Sequence, residues 1–489
     1  MTRLPVVGPC LGLLLGCANA APSGAPPRPP TTTPPTTAPP SAAPPTSEAP
    51  AASLAAPPAA PSRPRGATTF GVNDPITIPK LFIDRGDYPR EREPLMLAAN
   101  AALVVSVGAR AVRGSTPVYP YLDHSTLIAN NWDWTRPDNW ARAVGEAGLE
   151  PLLMLGPWPG NKTAGYTDQY VPSDMAAYQA YVRRVVERYD GDGTDDMPGL
   201  SVAVKVWEVD NEPDLHNTRP PKGMTSKVEP KDFEKPSEYA RVLVATAAAI
   251  READPTAKVA SAGFYGSAIV SGQDYMRAVF REPGALAAID IINVHCYFDT
   301  NNLDAIEKSL AIAKEVAPGR PIWVTETSVP SDKRKPWADE AWQARMVAAV
   351  YGAYLAGGAE RIFWHTLADP PPNPNAPHSS FSTNSLFRRT PPPGGASGSG
   401  PRKGGGVEEK PAAQVYKRLA AHMAGLDPSA LREEPASGGR LLWTGQGWLA
   451  FWGTPQVPSN GGVVEDLLTG TTTAGLSEVV APAWITPRP

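Results

Sequence analysis

From residue 68 to residue 425, short runs of consecutive apolar residues alternate with longer stretches whose apolar residues recur at helical spacing. A strand buried on both faces loses the alternation of a half-exposed strand and reads as a continuous apolar run. Eight such runs are predicted, over 68–72, 109–113, 151–155, 203–209, 259–262, 289–295, 322–325 and 361–365. Amphipathic helices are predicted between them, among them 174–189, 236–252 and 338–356. Strands and helices in strict alternation build a parallel sheet covered by helices, and eight units suffice to close a (β/α)8 TIM barrel.

Past Leu367 the pattern breaks into a Pro/Gly/Ser-rich insertion that runs to about Val407 and is expected to be a long surface loop. A closing helix is predicted over 410–423. From about Asp427 the period shortens to strands and turns, with strands expected over 440–443, 448–452, 463–466 and 478–485. This is a small antiparallel β module, too small to fold alone and so expected to pack on the barrel.

The first residues read differently. Met1-Thr2-Arg3 carries one positive charge, and a short apolar stretch through Leu11-Gly12-Leu13-Leu14-Leu15 ends at Gly16-Cys17. It is too short to span a bilayer and has the form of an export signal. Leu14-Leu15-Gly16-Cys17 resembles the bacterial lipobox, which implies lipid modification of Cys17. An ordinary signal peptide cut near Ala18-Asn19-Ala20 is the alternative. Residues 21–66 hold 16 of the 58 prolines, no aromatic residue and four charges. Such a segment cannot bury enough apolar surface to offset its ordering entropy, and it is expected to be an extended spacer. The expected division is signal 1–17, linker 18–66, barrel 67–425 and β module 426–489.

Composition changes this picture little. The formal net charge of −4 excludes a strongly basic nucleic-acid surface. Of three cysteines, Cys10 and Cys17 lie in the export signal and Cys296 stands alone, so no disulfide framework is available. A carbohydrate partner, contact with a membrane through the lipid anchor only, and a monomeric state are expected.

Candidate chemistry lies at two strand ends. Val206-Trp207-Glu208-Val209-Asp210-Asn211-Glu212-Pro213 and Pro321-Ile322-Trp323-Val324-Thr325-Glu326-Thr327 each carry an apolar run to a glutamate. The two glutamates are 326 − 212 = 114 residues apart. Strand ends at the C-terminal face of a barrel are where catalytic residues sit, and two facing carboxyl groups are what glycoside hydrolysis requires. With Asn211-Glu212-Pro213 ending the fourth strand and Glu326 the seventh, residues 68–425 resemble the clan A glycoside hydrolases. That superfamily includes many β-glycosidases, xylanases, mannanases and glucanases. The resemblance implies a retaining double displacement with Glu212 as acid/base and Glu326 as nucleophile, Asn211 on the sugar 2-hydroxyl, and no required cofactor. It also implies that Tyr297 donates to Glu326 and that His295 lies near the acid/base or the sugar. Substitution of Asp210 at a position where many relatives carry a small or aromatic residue departs from the pattern.

Strand alternation places Glu208 and Asp210 on the face of Glu212. Glu208, deeper in the strand, reads as a buried structural carboxylate, with a rival acid as the alternative. Arg113 is expected to pair with Glu326, and Arg110 is the competing choice. Apolar sugar faces stack on aromatic rings, and Trp364 is the expected platform, with Trp158, Trp132 and Trp134 as further candidates. In Asp190-Gly191-Asp192-Gly193-Thr194-Asp195-Asp196, oxygen ligands at Asp190, Asp192, Asp195 and Asp196 suit a structural Ca²⁺. A solvated turn after a helix is the alternative reading. Three functions stay open: a glycosidase, a transglycosylase using the same carboxylates, and an inactive carbohydrate-binding barrel.

Overall fold

In a computed structural model, the structure describes residues 69–73, 93–114, 134–156, 171–172, 174–215, 235–297, 303–331, 338–369, 383–389 and 406–488. The export signal with Cys17, the linker, Trp132 and Trp158 lie outside the described residues.

Eight parallel strands form one sheet: β1 (Thr69–Asn73), β2 (Ala111–Gly114), β3 (Glu150–Leu155), β4 (Val206–Val209), β5 (Lys258–Ala260), β6 (Ile292–His295), β7 (Ile322–Thr327) and β8 (Ala359–His365). Their order runs β5-β4-β3-β2-β1-β8-β7-β6, with all neighbours parallel. Parallel bridges Ala260↔Ile291 and Phe264↔Val294 join the two ends of that order. The Ser261 and His295 amides donate across the same seam at 3.0 Å each. The sheet is therefore a closed barrel, as the run count predicted.

Helices α1 (Glu93–Ser106), α2 (Thr135–Glu146), α3 (Met175–Tyr189), α4 (Pro236–Ala253), α5 (Val270–Arg281), α6 (Ala285–Ala288), α7 (Asp304–Val316) and α8 (Glu340–Ala356) lie between the strands. Local chemistry marks their starts. Asp174 accepts the Ala177 amide at the head of α3, Asp339 accepts that of Trp342 at the head of α8, and Pro236 opens α4.

Two apolar layers follow from strand alternation. Inward side chains Ala111, Leu152, Ala260, Ile291, Trp323 and Phe363 fill the barrel. Outward ones, including Val112, Leu153, Trp207, Val259, Val294, Val324 and Trp364, join the larger cluster with the helices. Above the inner layer the barrel turns polar: Asn73, Arg113, Glu208, Asn293, His295 and Thr325 are all buried.

The insertion after β8 is not wholly a surface loop. Its described part forms β9 (Phe387–Arg389), paired antiparallel with β10 (Val407–Glu409). Lys410, buried, ties the ribbon down through Asp369 at 2.8 Å and the Thr383 carbonyl at 3.1 Å. Helix α9 (Pro411–His422) then leads to an antiparallel sheet of β11 (Arg432–Glu434), β12 (Gly439–Trp443), β13 (Trp448–Gly453), β14 (Gly461–Asp466), β15 (Thr472–Ala474) and β16 (Ala483–Pro487). The expected strand 478–485 begins only at Ala483, and β11 and β15 are polar edge strands that no apolar run announced.

Candidate active site

At the C-terminal ends of β2, β4, β6, β7 and β8 a ring of polar side chains closes over the inner layer. Its centre is Arg113, which has no exposed surface. Its guanidinium makes a two-pronged pair with Glu208 (Nε 2.6 Å, Nη2 2.8 Å) and reaches Glu326 Oε1 at 2.7 Å, Asn73 Oδ1 at 3.0 Å and Asn211 Oδ1 at 2.9 Å. Burial alone would lower its proton affinity, but Glu208 and Glu326 outweigh burial and raise it. Glu208 is fully buried and also accepts the Gly263 amide at 3.1 Å.

Glu326 reaches this ring through an irregularity. On β6, Val294 pairs with Val324 but His295 with Glu326; on β8, Ile362 pairs with Val324 but Trp364 with Thr327. Strand β7 thus carries one residue more than either neighbour, a bulge at Thr325-Glu326. Simple alternation would turn Thr325 inward and Glu326 outward, whereas the bulge lets both face the barrel mouth. Glu326 accepts hydrogen bonds from Arg113 and the Tyr297 hydroxyl, with His295 Nδ1 3.8 Å away. Burial opposes its ionisation; His295, Arg113, His365 and the Tyr297 hydroxyl favour it, and the carboxyl is held down at about 2. Burial also lowers the proton affinity of both histidines. The permanent positive charge beside Glu326 is that of Arg113.

Glu212 comes from a turn, not from the strand. Strand β4 ends at Val209, and Asp210 and Glu212 adopt φ of +69° and +50°. Left-handed backbone at two non-glycine residues is costly and is tolerated where the surroundings fix it. The alternation expected for 208, 210 and 212 therefore fails. Asp210 accepts the following amide, Asn211 N–H, at 2.7 Å and lies in charge range of the helix tyrosines Tyr178 and Tyr239. Glu212, buried, bonds His295 Nδ1 at 2.9 Å. Burial and the charges of Glu326 and Glu208 raise its pKa well above the usual carboxylate value, against the pull of Arg113. Oxygens of Glu212 and Glu326 and a ring nitrogen of His295 lie within 4.8 Å of one another.

Of the sequence-predicted residues, Glu212, Glu326, Asn211, His295, Tyr297 and Arg113 converge here. Trp364 does not. Its ring is buried on the helix side of β8, 6.4 Å from the Tyr351 ring and nearly parallel to it, with Nε1–H donating to the Asn384 carbonyl. The physical reason is parity: Phe363 fills the barrel, so Trp364 points outward and His365 inward. The half-buried His365 accepts a hydrogen bond at Nδ1 from Asn73 Nδ2 at 2.8 Å and meets Tyr297 edge-on. Trp134 opens α2 beneath the Arg188 guanidinium, 4.6 Å from its ring. The sequence reading missed Asn73, His365, Thr325 and Asp214. Parity of β1, β8 and β7 carried a signal for the first three; the turn after β4 hid Asp214. Asp214 is buried and accepts the Tyr265 and Gly266 amides at 3.0 and 2.6 Å.

In the acidic turn after α3, carboxylates of Asp190, Asp192 and Asp196 also approach within 4.8 Å of one another, without Asp195. They cap their own loop: Asp190 accepts Asp192 N–H, Asp192 accepts Thr194 N–H, and Asp196 accepts those of Gly191 and Gly193. The donor set suits a hard cation, and the turn precedes β4, away from the glutamate ring.

The description of glycoside hydrolase family 44 matches residues 133–299, about a third of the chain. The match takes in Glu208, Asn211, Glu212, His295 and Tyr297 and leaves Arg113 and Glu326 outside it. No curated protein matches the chain. Among solved structures it is similar to a GH39 β-xylosidase from Caulobacter crescentus (17% identity, 88% of this chain and 98% of that one, TM-score 0.49). It is also similar to a family 51 α-L-arabinofuranosidase from Bifidobacterium longum (14% identity, 79% and 88%, TM-score 0.48). A glucosidase from Croceicoccus marinus is a third (15% identity, 80% and 77%, TM-score 0.45). None of these likenesses bears on substrate. The barrel and the family match define the class: a glycosidase.

Proposed function

We propose that the chain is a retaining clan A glycoside hydrolase acting on β-linked oligo- or polysaccharides, with Glu212 as acid/base and Glu326 as nucleophile. The observation that carries this reading is the opposed environment of two neighbouring carboxyls. Glu212 is buried without a cation of its own and keeps its proton, while Glu326 sits on Arg113 and Tyr297 and stays ionised. Pairs whose surroundings push their pKa values apart divide acid and nucleophile work. Oxygens of the two carboxyls lie within 4.8 Å of each other, which supports a retaining pair, whose carboxyl groups stand closer together than those of an inverting pair.

In the first step a Glu326 oxygen bonds to the anomeric carbon as the glycosidic C–O bond breaks and the Glu212 proton passes to the leaving oxygen. In the second, Glu212 takes a proton from water, whose oxygen replaces Glu326 on the anomeric carbon. In this reading Asn211, held by Arg113, meets the sugar 2-hydroxyl. Export, lipidation of Cys17 and a spacer over 18–66 belong to the same proposal. They fit an enzyme held on a bacterial envelope, and Cys17→Ser should abolish incorporation of labelled palmitate.

The test is hydrolysis by the full chain of a panel of aryl β-glycosides and of plant and microbial polysaccharides. Glu326→Ala is expected to abolish turnover. Glu212→Ala is expected to keep partial activity on aryl glycosides with good leaving groups, which need no proton. Equal mild losses in both variants would overturn the roles. Binding without turnover would favour the inactive barrel, and transfer to added sugar acceptors in preference to water a transglycosylase.

A further inference from the structure

One hydroxyl beneath the two carboxyls has neighbours that compete for its single proton. Thr325 Oγ1 lies 2.7 Å from Asn293 Nδ2, 2.9 Å from His295 Nε2 and 3.2 Å from Glu208 Oε1. Asn293 is oriented by its other end, since its Oδ1 accepts the Thr325 amide at 3.2 Å; its Nδ2 therefore donates to the hydroxyl. Glu208, gripped by both prongs of Arg113 and by the Gly263 amide, only accepts. A hydroxyl offers one proton and two lone pairs. The proton can go to Glu208 Oε1 or to His295 Nε2; given to Glu208, with one lone pair taken by Asn293, it leaves the other lone pair facing His295 Nε2, which then carries a hydrogen.

The consequence appears across the ring. Burial disfavours a second proton on His295, so the ring is neutral and Nδ1 is a bare lone pair 2.9 Å from Glu212. Only a protonated Glu212 can make that bond. We propose that Thr325 is a positioning residue that holds His295 in its Nε2–H tautomer, so that the ring accepts from Glu212 in its acid form and repels it once ionised. The inference rests on Glu212 being the acid/base. In the first step the acid keeps its proton until the leaving oxygen takes it; in the second the carboxylate is a stronger base towards water. The charged and titratable groups facing Glu212 and His295 are Arg113 from β2, Glu208 from β4, and Asp214 from the turn after it. Tyr297 follows β6, Glu326 comes from β7 and His365 from β8. Among these neighbours it is the uncharged Thr325 that contacts Nε2 and so selects the tautomer.

Two measurements test this. In ¹⁵N-histidine-labelled full chain at pH 7, the His295 signals, identified by their loss in His295→Asn, should show a protonated Nε2 and a pyridine-like Nδ1. A proton on Nδ1 would overturn the proposal, and this readout needs no turnover. On whichever aryl glycoside the wild type hydrolyses, Thr325→Val should move the alkaline limb of kcat/KM about one unit to lower pH, a tenfold loss of proton affinity at Glu212. Thr325→Ser should restore the wild-type position. An unmoved limb in Thr325→Val, or Thr325→Ser shifted as far as Thr325→Val, would also overturn it. Should Thr325→Val fail to fold, the tautomer and Thr325→Ser decide. Absence of wild-type turnover would instead defeat the glycosidase reading and leave the tautomer result standing.

Discussion

Arg113 is the residue on which the site turns. It is a buried cation with two buried carboxylates, and removing one partner of such a group typically costs about 3–5 kcal/mol because the others are left uncompensated. Arg113→Met should lower unfolding free energy by about that amount, read by urea titration. Arg113→Lys keeps the charge without the fork and should still lose most activity. Strand parity separated Arg113 from Arg110 in the sequence, and the same parity, applied to β8, would have turned Trp364 outward. An indole at a strand end is simply more conspicuous than the histidine beside it. Titration adds a second test. The buried Asp214 carboxyl is pushed up to about 7, chiefly by burial. Its unfolded value is about 3.9, so between these values the native state holds the extra proton and stability declines as pH rises. Glu212 acts in the same direction. Glu326 acts in the opposite one: its stabilisation is present above the ordinary carboxyl value and fades as pH falls towards about 2. Asp214→Asn should flatten the decline in urea midpoint between about pH 4 and 7, and an unchanged slope would show that Asp214 titrates normally.

At the scale of elements, two departures from regular structure create the site: the bulge in β7 and the left-handed turn after β4. Both were invisible to a reading based on periodicity, because a bulge changes register without changing composition. The strands themselves were legible, since apolar β-branched runs buried on both faces have few other uses. Their ends were less so: β4 and β6 begin later than the apolar runs, which continue into the preceding turns. Gly263 shows how closely the elements approach. A Cβ there would lie 1.9 Å from His295 Nε2, inside a ring that hydrogen bonds hold on both sides. Gly263→Ala should therefore cost about 1–3 kcal/mol, as overpacking does, and displace His295 from Glu212. The expected readout is a loss of kcat on unactivated substrates larger than on activated ones; equal losses would mean general disruption.

At the scale of the whole molecule, the β module is part of the barrel's core rather than an appendage. Helix α8 is buried around nearly its whole circumference, 13 of 17 residues, because the barrel covers one side and the module the other. Phe451 of β13 lies where a Cβ on Gly352 would be, 2.3 Å away, and His422 of α9 stacks on Trp484 at 4.3 Å. The sequence predicted 338–356 as an amphipathic helix with one buried face, and the second buried face, covered by the module, was not anticipated. Deleting 426–489 should expose that face and yield an aggregating chain, whereas the full chain should lose module and barrel signals in one thermal transition. The proposed double displacement needs two carboxyls close enough for a covalent intermediate. The measurement that tests it most directly is proton NMR of the first sugar released from a hydrolysed glycoside, before mutarotation. Net retention of anomeric configuration is the predicted result; inversion would contradict it.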